Sequence, residues 1–181
     1  NELNACAAIA LAGALGGQRE QIGKALNNFT GLKHRAQWVA QVGSVVFYND
    51  SKATNVGAAV AALRGLRQER AVLIAGGRDK LGSYAPLVSA LSERGRALVV
   101  LGEAADKIAD AARSAVPVLH AKTMQDAVQK AWESACDGDA VLLSPACSSF
   151  DMFKSYVERG DAFCRAVNVL TKAEARSEET R

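Results

Sequence analysis

The chain has 181 residues, of which 49% are hydrophobic and 23% charged, and its formal net charge is +3. These values are typical of globular proteins, and they exclude fibrous and intrinsically disordered classes. The basic residues are spread along the chain rather than gathered in one block, which argues against a dedicated nucleic-acid surface. The length suits one domain, or one domain with part of another.

The first predicted elements are two helices. Small and apolar residues recur at helical spacing over residues 3–15, Gly16 and Gly17 end this helix, and a second amphipathic helix follows over residues 18–29. Two strands are predicted next, over residues 36–42 and 45–49, around a turn at Gly43 and Ser44. The second strand leads directly into a polar loop.

From residue 55 onward, helical and strand patterns alternate. The predicted helices cover residues 55–66, 85–94, 104–114, 124–135 and 152–170, and the predicted strands cover residues 71–75, 97–101, 116–119 and 140–144. This alternation predicts an α/β fold with a mostly parallel sheet and helices on both faces. The strands AVLIA, ALVVL and AVLLS are continuous apolar runs, as expected for strands buried on both faces. We place a domain boundary near residues 32–35 and expect the charged tail at residues 172–181 to fray.

The four cysteines form neither a CxxC motif nor a Cys/His metal spacing, which indicates a reducing, cytoplasmic environment. The apolar stretch at residues 5–15 is too short to span a bilayer and lacks the charged segment of a secretory signal, so no membrane interaction is expected. The chain begins at Asn1, without Met and already within a helical pattern. We interpret it as a piece of a longer protein.

Polar and cationic residues follow four of the predicted strands, in NDSKATN (residues 49–55), GGRDK (76–80), GE (102–103) and SPACSSFDMFK (144–154). Open α/β sheets bind ligands outside the carboxyl ends of their strands, where helix amino termini offer free N–H groups. A crevice for a small anion is therefore predicted there, with four cations and three hydroxyl groups: Lys52, Arg78, Lys80, Lys154, Thr54, Ser148 and Ser149.

Each of these residues also has a purely structural interpretation. The alternative for Thr54 or Asn55 is a helix N-cap, and the same holds for Ser148, Ser149 or Asp151 before the last helix. The alternative for the four cations is a solvated surface position.

Three further residues lie near the predicted boundary and the first polar loop. His34 and Arg35 are placed where a hinge would bring them near a ligand held by two domains, with a plain surface pair as the alternative. Asp50 is a candidate to accept ribose hydroxyls or to pair with Lys52. Neither GxxxxGK[ST] nor GxGxxG occurs in the chain, so ATP chemistry requires phosphate-binding residues from elsewhere, and a nicotinamide-dependent dehydrogenase is disfavoured.

Taken together, the motifs resemble the Mur ligase family. His34-Arg35, NDSKATN, GGRDK and LLSPACSSFDMFKSYVERGDAF follow one another in the order of that family, and the resemblance extends over residues 1–170. NELN at residues 1–4 is similar to the end of the family's HNxxN motif. The match is best to the members that add D-glutamate.

The resemblance implies a Rossmann-like carboxyl-terminal domain at residues 35–171, preceded at residues 1–34 by a remnant of the central ATP-binding domain. It implies a cytoplasmic enzyme of peptidoglycan synthesis that uses ATP and Mg²⁺ to join D-glutamate to UDP-N-acetylmuramoyl-L-alanine through an acyl phosphate. The amino-terminal and central domains are then missing partners, so the resemblance also implies that this chain alone is inactive and holds no metal ligands.

Residue roles are implied by the same match. Asn1 and Asn4 correspond to positions near the adenine, His34 and Asp50 to ribose or adenosine contacts, and Arg35 to an arginine that reaches the ATP phosphates. Lys52 corresponds to a lysine that approaches the acyl phosphate, so Lys52 and Arg35 are the implied catalytic residues. The implied D-glutamate pocket consists of Thr54, Lys80, Ser149, Phe150 and Tyr156.

Phe150 and Tyr156 stand where leucine and phenylalanine are familiar in the family, which bears on the shape of the pocket more than on the substrate. The alternative to a ligase is a free-standing α/β module that binds a small acidic metabolite without catalysis. The start within NELN and the missing Met count against that alternative.

Overall fold

The computed structural model describes residues 2–179 and divides into two units, Asn1–Gly31 and Leu32–Arg181. The helices are α1 (Glu2–Ala14), α2 (Arg19–Asn27), α3 (Val56–Arg64), α4 (Ala85–Arg94), α5 (Ala105–Ala112), α6 (Met124–Ser134) and α7 (Tyr156–Glu179). The strands are β1 (Gln37–Val42), β2 (Val45–Asn49), β3 (Ala71–Gly76), β4 (Gly95–Leu101), β5 (Val118–His120) and β6 (Ala140–Ala146).

The first unit consists of α1 and α2. Gly16, two residues after the end of α1, adopts a left-handed conformation at φ = +84°, which a helix end favours and which glycine adopts without strain. The predicted stop at this position is confirmed. The assignment of this unit to a central ATP-binding domain stays a prediction.

The second unit is built on a six-stranded sheet in the order β1-β2-β6-β3-β4-β5. β1 and β2 form an antiparallel hairpin, and β2, β6, β3, β4 and β5 run parallel to one another. The predicted mostly parallel α/β sheet is confirmed. Its strand order places β6, the last strand in sequence, between β2 and β3.

Helices cover both faces of this sheet. α3, α4 and α5 pack on one face against Leu73, Leu98 and Leu142, and α6 and α7 pack on the other against Ile74 and Val141, among other residues. Alternate residues of one strand therefore enter different cores, and every residue of β3 and β6 is buried. This arrangement explains the continuous apolar runs.

The caps of two helices test the structural interpretations of the polar residues. Asn55 caps α3, since its side chain accepts a hydrogen bond of 2.8 Å from the N–H of Ala58. The expectation that Ser148, Ser149 or Asp151 caps the last helix is wrong. Ser155 has this place, because its hydroxyl oxygen accepts from the N–H of Glu158 at 3.2 Å.

The last helix therefore starts later than predicted, at Tyr156. The segment before it is held in an irregular turn, in which the Ser149 carbonyl accepts from the N–H groups of Met152 and Phe153. It also continues beyond residue 170, through Glu179, since alanine, lysine, arginine and glutamate favour helix. Fraying of residues 172–181 stays a prediction. β5 begins at Val118, two residues later than predicted, because Pro117 has no N–H to donate to the sheet.

Candidate functional site

The carboxyl ends of the parallel strands share one edge of the sheet, and the polar loops leave from it. The chain passes from β3 to α4 on one face, and from the adjacent β6 to α7 on the other. Loops that diverge from neighbouring strands leave a crevice, which is where α/β proteins bind ligands. The loops after β3 and β6 therefore form the centre of the candidate site, and the loop after β2 flanks it.

His34 is 4% exposed and adopts a left-handed backbone at φ = +62°. Its ring Nδ1 lies 3.0 Å from Nδ2 of Asn49. Because the side-chain oxygen of Asn49 accepts from the N–H of Ser51, its Nδ2 faces the ring as a donor and Nδ1 is the acceptor. In the neutral ring the proton is thus on Nε2, which lies 3.8 Å from the carboxylate of Asp161.

Gly160 provides the space for this ring. A Cβ atom at Gly160 would lie 2.2 Å from Nδ1 of His34, and the Gly160 carbonyl accepts a hydrogen bond of 3.1 Å from Asn49. His34 is therefore enclosed between the loop after β2 and the first turns of α7. This geometry favours a structural role for His34, and its contact with a nucleotide stays a prediction.

Lys52 lies over an aromatic ring. Its ammonium is 4.2 Å from the ring centroid of Tyr156, and the ring of His34 meets the same tyrosine edge-on, with centroids 6.1 Å apart at 81°. The backbone supports this arrangement, since the N–H of Lys52 donates to the His34 carbonyl at 3.0 Å and the Ser51 hydroxyl donates to the Tyr156 carbonyl at 2.7 Å. The structure thus brings three of the predicted site residues into contact.

Asp50 connects the chain before β1 with β6. Its carboxylate accepts from the N–H of Ala36 at 3.1 Å and from the hydroxyl of Ser144 at 3.1 Å. Burial raises the pKa of Asp50, although these two hydrogen bonds and the positive charge of Arg35 act in the opposite direction. Asp50 does not pair with Lys52, whose ammonium lies over Tyr156.

Replacing Asp50 with Asn is expected to leave the free energy of unfolding at pH 7 unchanged within about 1 kcal/mol, or to raise it. A raised pKa means that the ionised carboxylate is less favourable in the folded protein than in the unfolded chain. This cost is present at pH 7 and disappears below the pKa of the unfolded chain, so any gain of D50N should shrink as the pH falls. Urea unfolding of both proteins at several pH values measures it, and a loss of several kcal/mol at pH 7 would contradict this account.

Arg159 is a functional candidate that the sequence analysis did not single out. It is 2% exposed, and it donates to the Ser51 hydroxyl oxygen at 3.1 Å, the Ser51 carbonyl at 2.9 Å and the Cys147 carbonyl at 3.1 Å. It therefore ties the loop after β2 to the loop after β6. Burial lowers the pKa of Arg159 to about 10, so the group stays charged at neutral pH. One arginine in an amphipathic helix gives no signal of this role, because most arginines are exposed.

The loops after β3 and β6 touch through their backbones. The N–H of Arg78 donates to the Ser148 carbonyl at 2.9 Å. Gly77 adopts φ = +129°, and a Cβ atom there would lie 2.2 Å from the Ser148 carbonyl oxygen. The close approach of the two loops thus explains why a residue without a side chain is needed at position 77. On the β6 side, Ser149 is buried at 2% exposure, whereas the side chain of Phe150 is 66% exposed.

Asp79 organises the loop after β3. Its carboxylate accepts from the Lys107 ammonium at 2.7 Å, from the Tyr84 hydroxyl at 2.9 Å and from the N–H of Leu81 at 3.1 Å. The hydrogen bond from Lys107 is the largest cause of the lowered pKa of Asp79, and the other two act in the same direction. The Tyr84 oxygen also lies 3.2 Å from the sulfur of Cys147, whose pKa is raised by burial. The side chain of Lys80, between Asp79 and Leu81, is exposed.

The remaining predicted residues lie elsewhere. Asn1 is outside the described residues, and Asn4 is an exposed residue of α1 in the first unit. Thr54 is half-buried, and its N–H donates to the Lys52 carbonyl at 2.8 Å.

The cations of the candidate site share one property. Among residues 4–176, whose side chains the structure describes, none of the five cations predicted for the site forms a salt bridge with a carboxylate, whereas Lys107 on α5 and, farther away, Arg64 and Arg96 do. These five predicted cations are Arg35, Lys52, Arg78, Lys80 and Lys154, and all of them except the half-buried Lys52 are exposed. Cations that are not engaged in an ion pair are available to an anionic ligand.

Residues 2–179 include no group of three or more His, Cys, Asp or Glu that could hold a metal ion. Over the same residues, no helix combines the length and apolar character needed to cross a membrane.

The family model and two similar curated sequences both point to Mur ligases. The family model for the glutamate ligase domain of Mur ligases matches residues 34–147. The UDP-N-acetylmuramoylalanine–D-glutamate ligase of Nitrosospira multiformis is 50% identical over 176 residues, which are 97% of this chain and 37% of that protein. The enzyme of the same name from Hahella chejuensis is 49% identical over 94% of this chain and 39% of its own length. This chain thus spans about two-fifths of the length of these relatives.

Solved structures show the same fold at low sequence identity. UDP-N-acetylmuramate-alanine ligase from Thermotoga maritima gives a TM-score of 0.66 at 17% identity, over 93% of this chain and 38% of that one. MurF from Acinetobacter baumannii gives 0.62 at 21% identity, over 93% of this chain and 37% of that one.

Proposed function

Because the chain belongs to the Mur ligase family, we propose that it is the carboxyl-terminal part of a cytoplasmic UDP-N-acetylmuramoylalanine–D-glutamate ligase that acts in peptidoglycan synthesis. The crevice at the strand ends is proposed to receive D-glutamate. The name shared by relatives that are 49% to 50% identical supports the choice of substrate. The observation that carries the role of the site is the set of five cations, none engaged in an ion pair within the part of the chain that the structure describes, that follow or precede strands at one edge of the sheet.

The reaction explains why such cations are needed. In the proposed sequence ATP phosphorylates the carboxylate of UDP-N-acetylmuramoyl-L-alanine, the amine of D-glutamate attacks the acyl phosphate, and inorganic phosphate leaves the tetrahedral intermediate. Negative charge is present at every stage, and D-glutamate itself brings two carboxylates. Fixed positive charges in a site that closes around the reactants stabilise such intermediates electrostatically and hold the amine near the acyl carbon.

Lys52 and Arg35 are assigned to the phosphate side of this reaction. Lys52 lies in the loop after β2, over the ring of Tyr156, and Arg35 is an exposed cation next to His34. Asp50 is proposed to contact the nucleoside from the same side. ATP and Mg²⁺ belong to the complete enzyme, together with the amino-terminal and central domains and with Asn1 and Asn4.

Lys80 and Thr54 are assigned to the carboxylates of D-glutamate, with Ser149 beside them and with Phe150 and Tyr156 as apolar walls. Ser149 is almost fully buried, so its part in binding requires that the loop after β6 shift when the site is filled. The exposed ring of Phe150 is free to cover a ligand.

Replacing Lys80 with Ala in the full-length ligase is expected to raise the KM for D-glutamate about 10- to 100-fold, because a hydrogen bond to a charged group contributes about 1.5–3 kcal/mol. The value of kcat should change much less. The matched control is K122A, which removes an exposed lysine that follows β5. ADP release measured against D-glutamate concentration checks this, and an equal rise of KM in both variants would sink the assignment.

A further inference from the structure

We propose that Tyr156 is a positioning residue for Lys52, holding the lysine ammonium over its ring in the orientation that the acyl-phosphate step requires. This inference rests on the proposed function for its catalytic meaning, but its geometry can be tested independently. The role differs from that of a wall of the amino-acid pocket, which is what the family match implies for Tyr156.

The ammonium of Lys52 has an aromatic ring as its partner. Nζ of Lys52 is 4.2 Å from the ring centroid of Tyr156, well within the range in which a cation is attracted to an aromatic face. Among the ion pairs formed by residues 4–176, whose side chains the structure describes, none includes Lys52. A carboxylate partner would compensate the positive charge, whereas a neutral ring holds the ammonium and leaves its full charge for an anion.

The aromatic ring of Tyr156 lies at a well-defined place in the fold. The tyrosine is the first residue of α7, and its carbonyl accepts from the Ser51 hydroxyl at 2.7 Å. The ring of His34 meets it edge-on at 6.1 Å, an arrangement that is favourable for two aromatic rings. His34 is in turn held by Asn49 and by the space at Gly160. The ring under the ammonium is therefore packed against a second ring that is itself held in place.

The backbone of Lys52 is held by hydrogen bonds on both sides of its Cα. Its N–H donates to the His34 carbonyl at 3.0 Å, and the preceding residue is fixed by the buried guanidinium of Arg159. Both ends of the lysine side chain are thus located, Cα by these hydrogen bonds and Nζ by the ring. Locating a long side chain before the ligand binds reduces the entropy lost on binding.

The geometric test uses NMR of the 181-residue protein. A ring 4.2 Å from Nζ should shift the ε-methylene protons of Lys52 upfield, and the signal is assigned by its absence in K52M. Y156F should keep the shift because the ring remains, and Y156L should abolish it. Random-coil shifts for these protons in the wild-type protein would overturn the proposal whatever reaction the protein catalyses.

The catalytic test compares the same variants in the full-length ligase. Y156L should lower kcat about 3- to 30-fold, the range that corresponds to a cation–π contact, whereas Y156F should stay within about twofold of the wild type. W38L, which replaces an exposed aromatic residue of β1, is the control for a change from aromatic to aliphatic. Equal kcat for Y156L and wild type, or equal losses in Y156L and Y156F, would overturn the positioning role.

The two tests also separate this inference from the proposed function. An upfield shift that is lost in Y156L, together with wild-type ligase activity toward an amino acid other than D-glutamate, would leave the positioning role intact and reject the substrate. D-Glutamate ligation that is equally fast with Y156L and with the wild type would support the proposed substrate and reject the positioning role.

Discussion

Replacing Arg159 with Met is expected to lower the free energy of unfolding of the Leu32–Arg181 unit by about 3 kcal/mol, since buried acceptors left without a donor each cost about 1–3 kcal/mol. The guanidinium serves three acceptors in two loops. Removing a charge that is costly to bury offsets part of this destabilisation, so the expected change is smaller than the sum of the costs of the three acceptors. At about 2–4 °C per kcal/mol, the melting temperature should fall by about 6 to 12 °C.

Two comparisons sharpen the Arg159 experiment. R165M, on the same helix at an exposed position, should change stability by less than about 0.5 kcal/mol. R159K keeps the charge but cannot serve three acceptors with the geometry of a guanidinium, so it should recover only part of the loss. Calorimetry of the three variants measures these differences, and equal melting temperatures for R159M and R165M would show that the two loops are held together by other contacts.

A consequence for activity follows from the same geometry. Arg159 connects the loop of Lys52 with the loop of Ser149, so its loss should alter both sides of the proposed site. In the full-length ligase, R159M is expected to lower kcat/KM for D-glutamate by at least about tenfold, because small displacements of reacting groups are costly.

Replacing Gly77 with Ala is expected to destabilise the same unit by about 3–5 kcal/mol, from a backbone conformation that suits only glycine and from a clash with backbone atoms. The positive φ of +129° is strained for any L side chain, and the new Cβ would lie 2.2 Å from the Ser148 carbonyl oxygen. Neither strain can be relieved by turning a side chain. The loops after β3 and β6 must separate, and the hydrogen bond from Arg78 to Ser148 should be lost.

Gly82 offers a matched control for Gly77 in the same loop. A Cβ atom at Gly82 meets nothing within 4 Å, and its backbone has no positive φ in the range that strains other residues. G82A should therefore change the free energy of unfolding by less than about 1 kcal/mol. We expect a small increase, because alanine reduces the conformational freedom of the unfolded chain. Urea unfolding of both variants decides the matter. If G77A were as stable as G82A, close contact between the two loops would not explain the glycine.

The order and type of the elements could be read from the sequence, because burial and local hydrogen bonding impose their own periodicity. Alternating helical and strand patterns predicted the parallel sheet, and the apolar runs predicted strands buried on both faces. The errors lay at boundaries. Ser155, rather than an earlier serine, starts the last helix, because the segment before it is held by contacts with a loop distant in sequence.

The candidate site was predicted only in part. Its position followed from the polar loops after four strands, since parallel strands end at one edge of a sheet. The contact of Lys52 with Tyr156 could not be predicted from spacing, because these residues come from different ends of the unit. Asp79 likewise gave no signal of its network with Tyr84 and Lys107.

The sequence by itself therefore determined the fold class, the family and the edge of the sheet where charge collects, because these depend on local periodicity and on short motifs. Only the tertiary structure decided that β6 lies between β2 and β3, that His34 is enclosed, and that Arg159 joins two loops. Each of these depends on which distant residue fills a given space or satisfies a given hydrogen bond. Packing across the sheet makes that choice, and it is the same choice that leaves the ammonium of Lys52 over a ring instead of beside a carboxylate.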